Sequence, residues 1–252
     1  MTRPFIMVAP NGARRSRADH PALPVTTDQI AATALACANA GADALHLHVR
    51  DDDGRHSLDA GRYREALAEI AARAPALRLQ ITTEAGDIFD VADQLACLKA
   101  VKPGWASISV REIARDPALA AQVYGTCADL GTEVQHILYD TDDIALLNRW
   151  QAEGKVQPDQ TEVIFVLGRY TPGQASSPDD LQPFRDAMPK AAGWMVCAFG
   201  SQEHACLLAA ARAGGALRVG FENSLTDHCN HPHPDNAASV AALRSLLENH
   251  LS

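Results

Sequence analysis

The sequence predicts a single-domain (β/α)8 barrel, a TIM barrel, over residues 1–252. Short β-rich runs alternate strictly with amphipathic Ala- and Leu-rich segments, there are eight of each, and the chain of 252 residues has the length such a barrel uses as one unit, about 250. Right-handed crossovers make closure of eight parallel strands natural, and an open doubly wound sheet is the alternative arrangement of the same alternation. No linker, repeat or low-complexity tract divides the chain.

The strand runs fall at residues 5–9 (FIMVA), 44–49 (ALHLHV), 77–82 (LRLQIT), 105–110 (WASISV), 133–139 (EVQHILY), 162–167 (EVIFVL), 194–199 (WMVCAF) and 216–221 (ALRVGF). Between the first two, Thr26 or Thr27 caps DQIAATALACANAG, which Gly41 ends; Asp59 then opens AGRYREALAEIAARA ahead of Pro75. Further helices are expected at residues 91–100, 117–130, 143–153, 179–187, 203–213 and 237–249. The long first loop, residues 10–25, carries NGARRSRADHP and is the candidate lid or substrate wall.

With 47% hydrophobic and 21% charged residues, the chain can bury a large core. A net charge of −9 and the lack of any Lys/Arg block argue against a nucleic-acid surface, so an anionic substrate has to be met by a few placed cations. Cys37, Cys97, Cys127, Cys197, Cys206 and Cys229 form no CxxC pair and read as reduced residues of a cytoplasmic protein. No apolar run approaches the ~20 residues of a membrane span, and MTRPFIMVAPNG is interrupted too early for a signal peptide.

The stretch HLHVRDDDG carries the chemistry. Side chains at i and i+2 of a strand share a face, so His46 and His48 point together at the C-terminal end of the second strand, which is the catalytic mouth of a barrel. The alternative is one hydrogen-bonded core histidine and one rim histidine. Two neutral imidazoles call for a further, anionic ligand, and Glu222 at the tip of LRVGFEN supplies it, with Arg218 and Gly220 expected on the same face. The second and eighth strands lie about 10 Å apart across the first, a gap these side chains can close on one ion, with Gly220 expected to leave room below. Such a set leaves coordination positions open, as catalytic sites do; zinc is the first choice, with iron(II) or manganese also accepted. A second group, Asp227, His228, Cys229, His231 and His233, lies on a Pro-broken loop and reads as solvated, with an additional metal site as its alternative.

HLHVRD, LRVGFEN and the opening APNGA…HPALPVT, together with KPGWASISV, FVLG and WMVCAFG, resemble the β-keto acid cleavage enzymes along nearly the whole chain. The resemblance implies a zinc-dependent barrel, usually a homo-oligomer such as a dimer or tetramer, that takes a β-keto acid and acetyl-CoA and returns acetoacetate and a new acyl-CoA. It matches His46, His48 and Glu222 to the family's metal ligands and Arg218 to an active-site arginine. A β-keto acid can chelate through its keto and carboxylate oxygens, while Arg218 holds a carboxylate or developing enolate by charge-assisted bonds, a barrel-interior ion pair with Glu222 itself being the alternative. The alternatives are a CoA-independent metal-dependent oxo-acid lyase or aldolase, and a non-catalytic paralogue that binds a metal and an acyl ligand.

Two departures stand out. The family's last motif commonly reads Glu-Asp, whereas Asn223 follows Glu222 here and cannot take a proton. An acidic first-loop residue that some members use with an amino-bearing substrate is met here by NGARR, so Arg14 and Arg15 favour a substrate that is neutral or anionic at its far end. The base that draws a carbon nucleophile from acetyl-CoA is therefore expected to be Glu84, in ITTEAG, with Asn223 as a donor orienting Arg218 or substrate; Glu84 as a helix-entry residue is the alternative. Asn11, Thr82, Thr83, Ser107, Ser109 and His136 are expected around the mouth, or as caps of strand ends. Gly200 and Ser201, at a helix N-terminus, offer an anion site for a carboxylate or a CoA phosphate.

Overall fold

A computed structural model describes residues 3–251. In chain order the elements are β1 (Ile6–Val8), α1 (Thr27–Asn39), β2 (Ala44–Leu47), β3 (Val49–Arg50), β4 (His56–Ser57), α2 (Ala60–Arg73), β5 (Arg78–Thr82), α3 (Val91–Val101), β6 (Trp105–Ser109), α4 (Val110–Ile113), α5 (Ala120–Leu130), β7 (Glu133–Leu138), α6 (Thr141–Ala152), β8 (Glu162–Leu167), α7 (Gln182–Ala187), β9 (Trp194–Ala198), α8 (Glu203–Arg212), β10 (Ala216–Val219) and α9 (Asn236–Leu251). Eight of the strands close into a parallel barrel in the order β1, β2, β5, β6, β7, β8, β9, β10 and back to β1. β3 and β4 stand apart as a small antiparallel pair. The fold is the expected single-domain (β/α)8 barrel.

Both faces of these strands are buried, which is why they read as nearly continuous apolar runs. Met7, Ala44, Trp105, Ile137, Ile164 and Met195 pack inside the barrel. Ile6, Val8, Leu45, Leu47, Phe165 and Leu217 face outward onto the helices. Thr26 is the cap of α1, its Oγ1 accepting from Gln29 N while the Gln29 side chain returns to Thr26 N; Asp59 caps α2 through Arg62 N.

Several boundaries differ from those read in the sequence. The second strand breaks after Leu47, and Val49–Arg50 pair with His56–Ser57 instead of continuing into the barrel. The fourth stops at Ser109, because Val110 opens α4. Residues 178–187 form a 3₁₀ turn and then α7, with Pro183 in the helix's first turn, where its missing N–H is tolerated. The last strand stops at Val219. Gly220 has φ of +137°, and a Cβ there would sit 2.5 Å from the Ala9 carbonyl oxygen, so this glycine permits a close backbone approach to β1 and does not open space beneath the site. Among the described residues, no helix is long and apolar enough to cross a membrane. The six cysteines are free, and only Cys229 is exposed.

Candidate active site

His46 ends the barrel interior of β2, and His48 follows at the break. Both are buried, and their Nε2 atoms lie 3.2 Å apart. The turn after Gly220 carries Glu222 back over them: Glu222 N donates to Ala9 O, and Oε2 comes within 3.3 Å of His48 Nε2 and 3.6 Å of His46 Nε2. Gly12, with φ of +63°, makes this possible, since a Cβ at that position would meet Glu222 Cγ at 2.6 Å.

The three groups fit a metal ion. Two ligands each 2.0–2.1 Å from a tetrahedral centre stand about 3.3 Å apart, close to the spacings here. Glu222 Oε2 is buried without a hydrogen-bond partner, as a ligand oxygen would be. His46 Nδ1 donates to Gln80 Oε1 at 2.7 Å, leaving Nε2 as the lone-pair nitrogen, and burial pushes this imidazole down to about 3, so it is neutral. Burial would raise the Glu222 carboxyl, but the Arg218 guanidinium beside it outweighs burial and holds it well below the usual carboxylate range. The ligand forms of His46 and Glu222 are thus the forms this pocket stabilises.

Arg218, on β10, is buried and gives one nitrogen, Nη2, to Glu222 Oε1 (3.1 Å) and Cys197 Sγ (3.2 Å). Its Nε and Nη1 have no partner. A buried guanidinium with spare donors is an anion receptor. Glu84 follows β5; its Oε2 is 3.9 Å from His48 Nε2, and its amide donates to Thr82 Oγ1. Arg218, Glu84, Thr82 and Asn11 line one cavity of about 90 Å³ together with His46 and Glu222.

Other residues singled out in the sequence sit around this group in varied ways. Asn11 donates to the carbonyls of Pro24 and His48, tying the first loop to the ligand strand. Arg15 holds the turn by donating to the carbonyls of Phe221 and Asn223, whereas Arg14 reaches out to Asp87 at 2.6 Å. Both side-chain polar atoms of Asn223 are buried and unpartnered, as are the hydroxyls of Ser107 and Ser109 inside the barrel. Thr83 caps the Ser107 carbonyl. Gly200 donates to Asn223 O, and neither it nor Ser201 is among the cavity-lining residues. His136 turns away from the interior, stacks on Tyr124 of α5 and donates to Gln160 O, because the inward positions of β7 are Gln135 and Ile137. In the late loop, ligand atoms of Asp227, Cys229 and His231 lie within 4.8 Å of one another, exposed or half-exposed; His233 is instead buried, its ring against His204.

Sequence reasoning passed over four contributors. Arg50, the arginine of HxHxR, donates to carbonyls of Asn11, Gly12 and Arg15 and so shapes the first loop. His56, on β4, donates to Glu84 O and lies 5.2 Å, ring to ring, from His48. Gln80 fixes the His46 ring, and Arg169 lines the cavity from the loop after β8. The inward parity of Gln80 with Thr82 on β5 was the one signal that could have pointed to it.

The sequence profile of the beta-keto acid cleavage enzymes matches residues 4–250. The chain belongs to this family. At 27% identity it is similar to a 3-keto-5-aminohexanoate cleavage enzyme of Fusobacterium nucleatum, over 89% of this chain and 84% of that protein. At 26% identity it is similar to a 3,5-dioxohexanoate:acetyl-CoA acetone transferase of Paraburkholderia graminis, over 97% of this chain and 89% of the relative. Among solved structures, the apo form of ObcA superposes with a TM-score of 0.69 at 17% identity, covering 92% of this chain; the chain spans 63% of that one, and the likeness is one of fold. Within the family, this chain is a cleavage enzyme whose relatives include acetyl-CoA-dependent transferases.

Proposed function

We propose that the protein is a divalent-metal enzyme, zinc being the first choice, that exchanges acyl groups between a β-keto acid and acetyl-CoA to give acetoacetate and a new acyl-CoA. The observation that carries this reading is the convergence of His46, His48 and Glu222 beside Arg218, with His46, Glu222 and Arg218 lining one cavity. The reaction kind follows the names of its relatives, which include a 3-keto-5-aminohexanoate cleavage enzyme and transferases that use acetyl-CoA. A homo-oligomer is part of the same reading.

His46, His48 and Glu222 would hold the ion, which supplies Lewis-acid polarisation of the keto group when bound. Arg218 binds the substrate carboxylate with a donor that its contacts with Glu222 and Cys197 leave spare. Bond accounting places the nucleophile: acetoacetate contains the acetyl group joined to CH₂COO⁻, and the new thioester contains the remainder of the acid. The bond formed is therefore from C2 of the β-keto acid to the acetyl carbonyl, and the bond broken is C2–C3. A nucleophile drawn from the methyl of acetyl-CoA, as first expected, does not give these products. The proton removed is the one on C2, flanked by two carbonyls. Glu84 takes it; the CoA thiolate released by the first step attacks C3 in the second, and the proton returns from Glu84 to C2 as the C2–C3 bond breaks. Asn223, whose side-chain amide has no partner in the protein, is left as a donor to substrate, and Thr82 offers its hydroxyl from the cavity wall; Ser107 and Ser109 are buried and are not among the lining residues.

A panel of β-keto acids incubated with the zinc-loaded protein, with and without acetyl-CoA, tests the reading. Acetoacetate is expected only with the thioester. Cleavage without it would indicate a lyase, and no turnover of any acid a binding protein.

A further inference from the structure

Two arginines belong to one stack of rings at the cavity mouth, and their charges are handled differently. Arg111 lies 4.7 Å from the Tyr139 ring centre and 5.2 Å from that of Tyr170. It is neutralised by Asp140 at 2.6 Å and Asp143 at 2.8 Å. Tyr139 and Tyr170 meet at 5.0 Å, and beyond them Arg169 lies 5.6 Å from Tyr170 and 5.2 Å from Phe199. Arg169 makes no hydrogen bond or ion pair among the described residues, and it lines the same cavity as His46 and Glu222.

The other cations of the cavity each have a hydrogen-bond or ion-pair partner. Arg14 is paired with Asp87, Arg15 with two backbone carbonyls, and Arg218 with Glu222. Arg169 is therefore the arginine there with its whole fork free. Its loop is held in place: Thr171 Oγ1 donates to the carbonyl of Gly168, and Ser176 Oγ to that of Phe199. The rings flank the guanidinium without consuming its donors.

Its position gives it a partner. β2, which delivers the histidines, and β8, which runs into Gly168 and Arg169, are four strands apart in either direction round the eight-stranded barrel, so they form opposite walls. A keto acid held at His46, His48, Glu222 and Arg218 extends its far end toward Arg169. We propose that Arg169 is an anion subsite for a second carboxylate of the substrate, which makes the substrate class a β-keto dicarboxylic acid; this rests on the reading of the site as one for β-keto acids. Phosphate oxygens of CoA share the same chemistry, and the test separates them from the carboxylate.

The probes are 3-oxoadipate and 3-oxohexanoate, which have equal chain lengths and differ in the distal carboxylate. Binding to the zinc-loaded protein is measured first without acetyl-CoA, by calorimetry. The wild type is expected to favour the diacid by about tenfold or more, as a charge-assisted bidentate contact would. Arg169→Met should weaken diacid binding by about 10–100-fold and leave the monoacid within about twofold, with Arg169→Lys intermediate. Equal affinity of the wild type for both acids, or an equal loss for both in the variant, overturns the proposal. So does an effect confined to the KM for acetyl-CoA, which would assign Arg169 to a CoA phosphate. If the binding preference holds while neither acid turns over with acetyl-CoA, the subsite stands and the exchange reaction falls.

Discussion

His46 Nδ1 donates to Gln80 Oε1 at 2.7 Å, and Gln80 Nε2 donates onward to Gln135 Oε1 at 3.1 Å, so a chain of side chains from β7 through β5 fixes the orientation of His46 on β2. Such partners set the tautomer and aim of a metal-binding imidazole. Gln80→Leu is expected to weaken zinc affinity by about 10–100-fold while the barrel remains folded. Competition with a chromogenic chelator and far-UV circular dichroism measure the two effects; unchanged affinity would remove Gln80 from the site.

Gly12→Ala should act on the same centre by a different route. The added Cβ lies 2.6 Å from Glu222 Cγ, and the backbone there has positive φ. The strain costs about 1 kcal/mol of stability, and the displaced carboxylate should lower zinc affinity by at least about tenfold. A variant that binds zinc normally would show that Glu222 is not required where it stands.

Glu84→Gln is predicted to lower kcat by about 10²–10⁴-fold, the usual contribution of a placed base, without loss of metal. Asn223→Asp in that background asks whether the family's acidic position can take over. Near-normal rates for Glu84→Gln, with a gain in Asn223→Asp alone, would move the proton transfer away from Glu84.

His136 gives the stability of the barrel a pH dependence of known sign. Burial against Tyr124 lowers its imidazole from the ordinary 6.5 to about 4. The unfolded chain thus binds a proton that the folded chain refuses. This contribution is fully present above pH 6.5 and is lost as the pH falls toward 4, by about 3 kcal/mol in all. Urea midpoints between pH 7 and pH 4 should fall more steeply for the wild type than for His136→Gln. Parallel curves would mean that His136 is not buried as a neutral ring.

The barrel was legible because a strand buried on both faces leaves a continuous apolar run, and because the caps at Thr26 and Asp59 use side chains that announce themselves. The meeting of His46, His48 and Glu222 was legible for a related reason: strand parity and position at the C-terminal ends decide which side chains can meet. What escaped depends on three-dimensional neighbours. Gly220 suggested spare room, yet its role is the approach of the Ala9 carbonyl. His136 has the same composition cue as His46, and only the register of β7 turns it outward. Arg169 has no motif at all, since what distinguishes it from Arg111 is the lack of an acidic partner.

The account turns on the fate of the acetyl group, and isotopic labelling reads it directly. The zinc-loaded protein is incubated with a β-keto acid it accepts and with acetyl-CoA carrying carbon-13 in the acetyl group, and the products are followed by NMR. Acetoacetate labelled at its keto and methyl carbons and an unlabelled new acyl-CoA are expected, with both products lost in His48→Ala along with the metal. Unlabelled acetoacetate, label retained in the thioester, or full activity in the metal-free variant would contradict it.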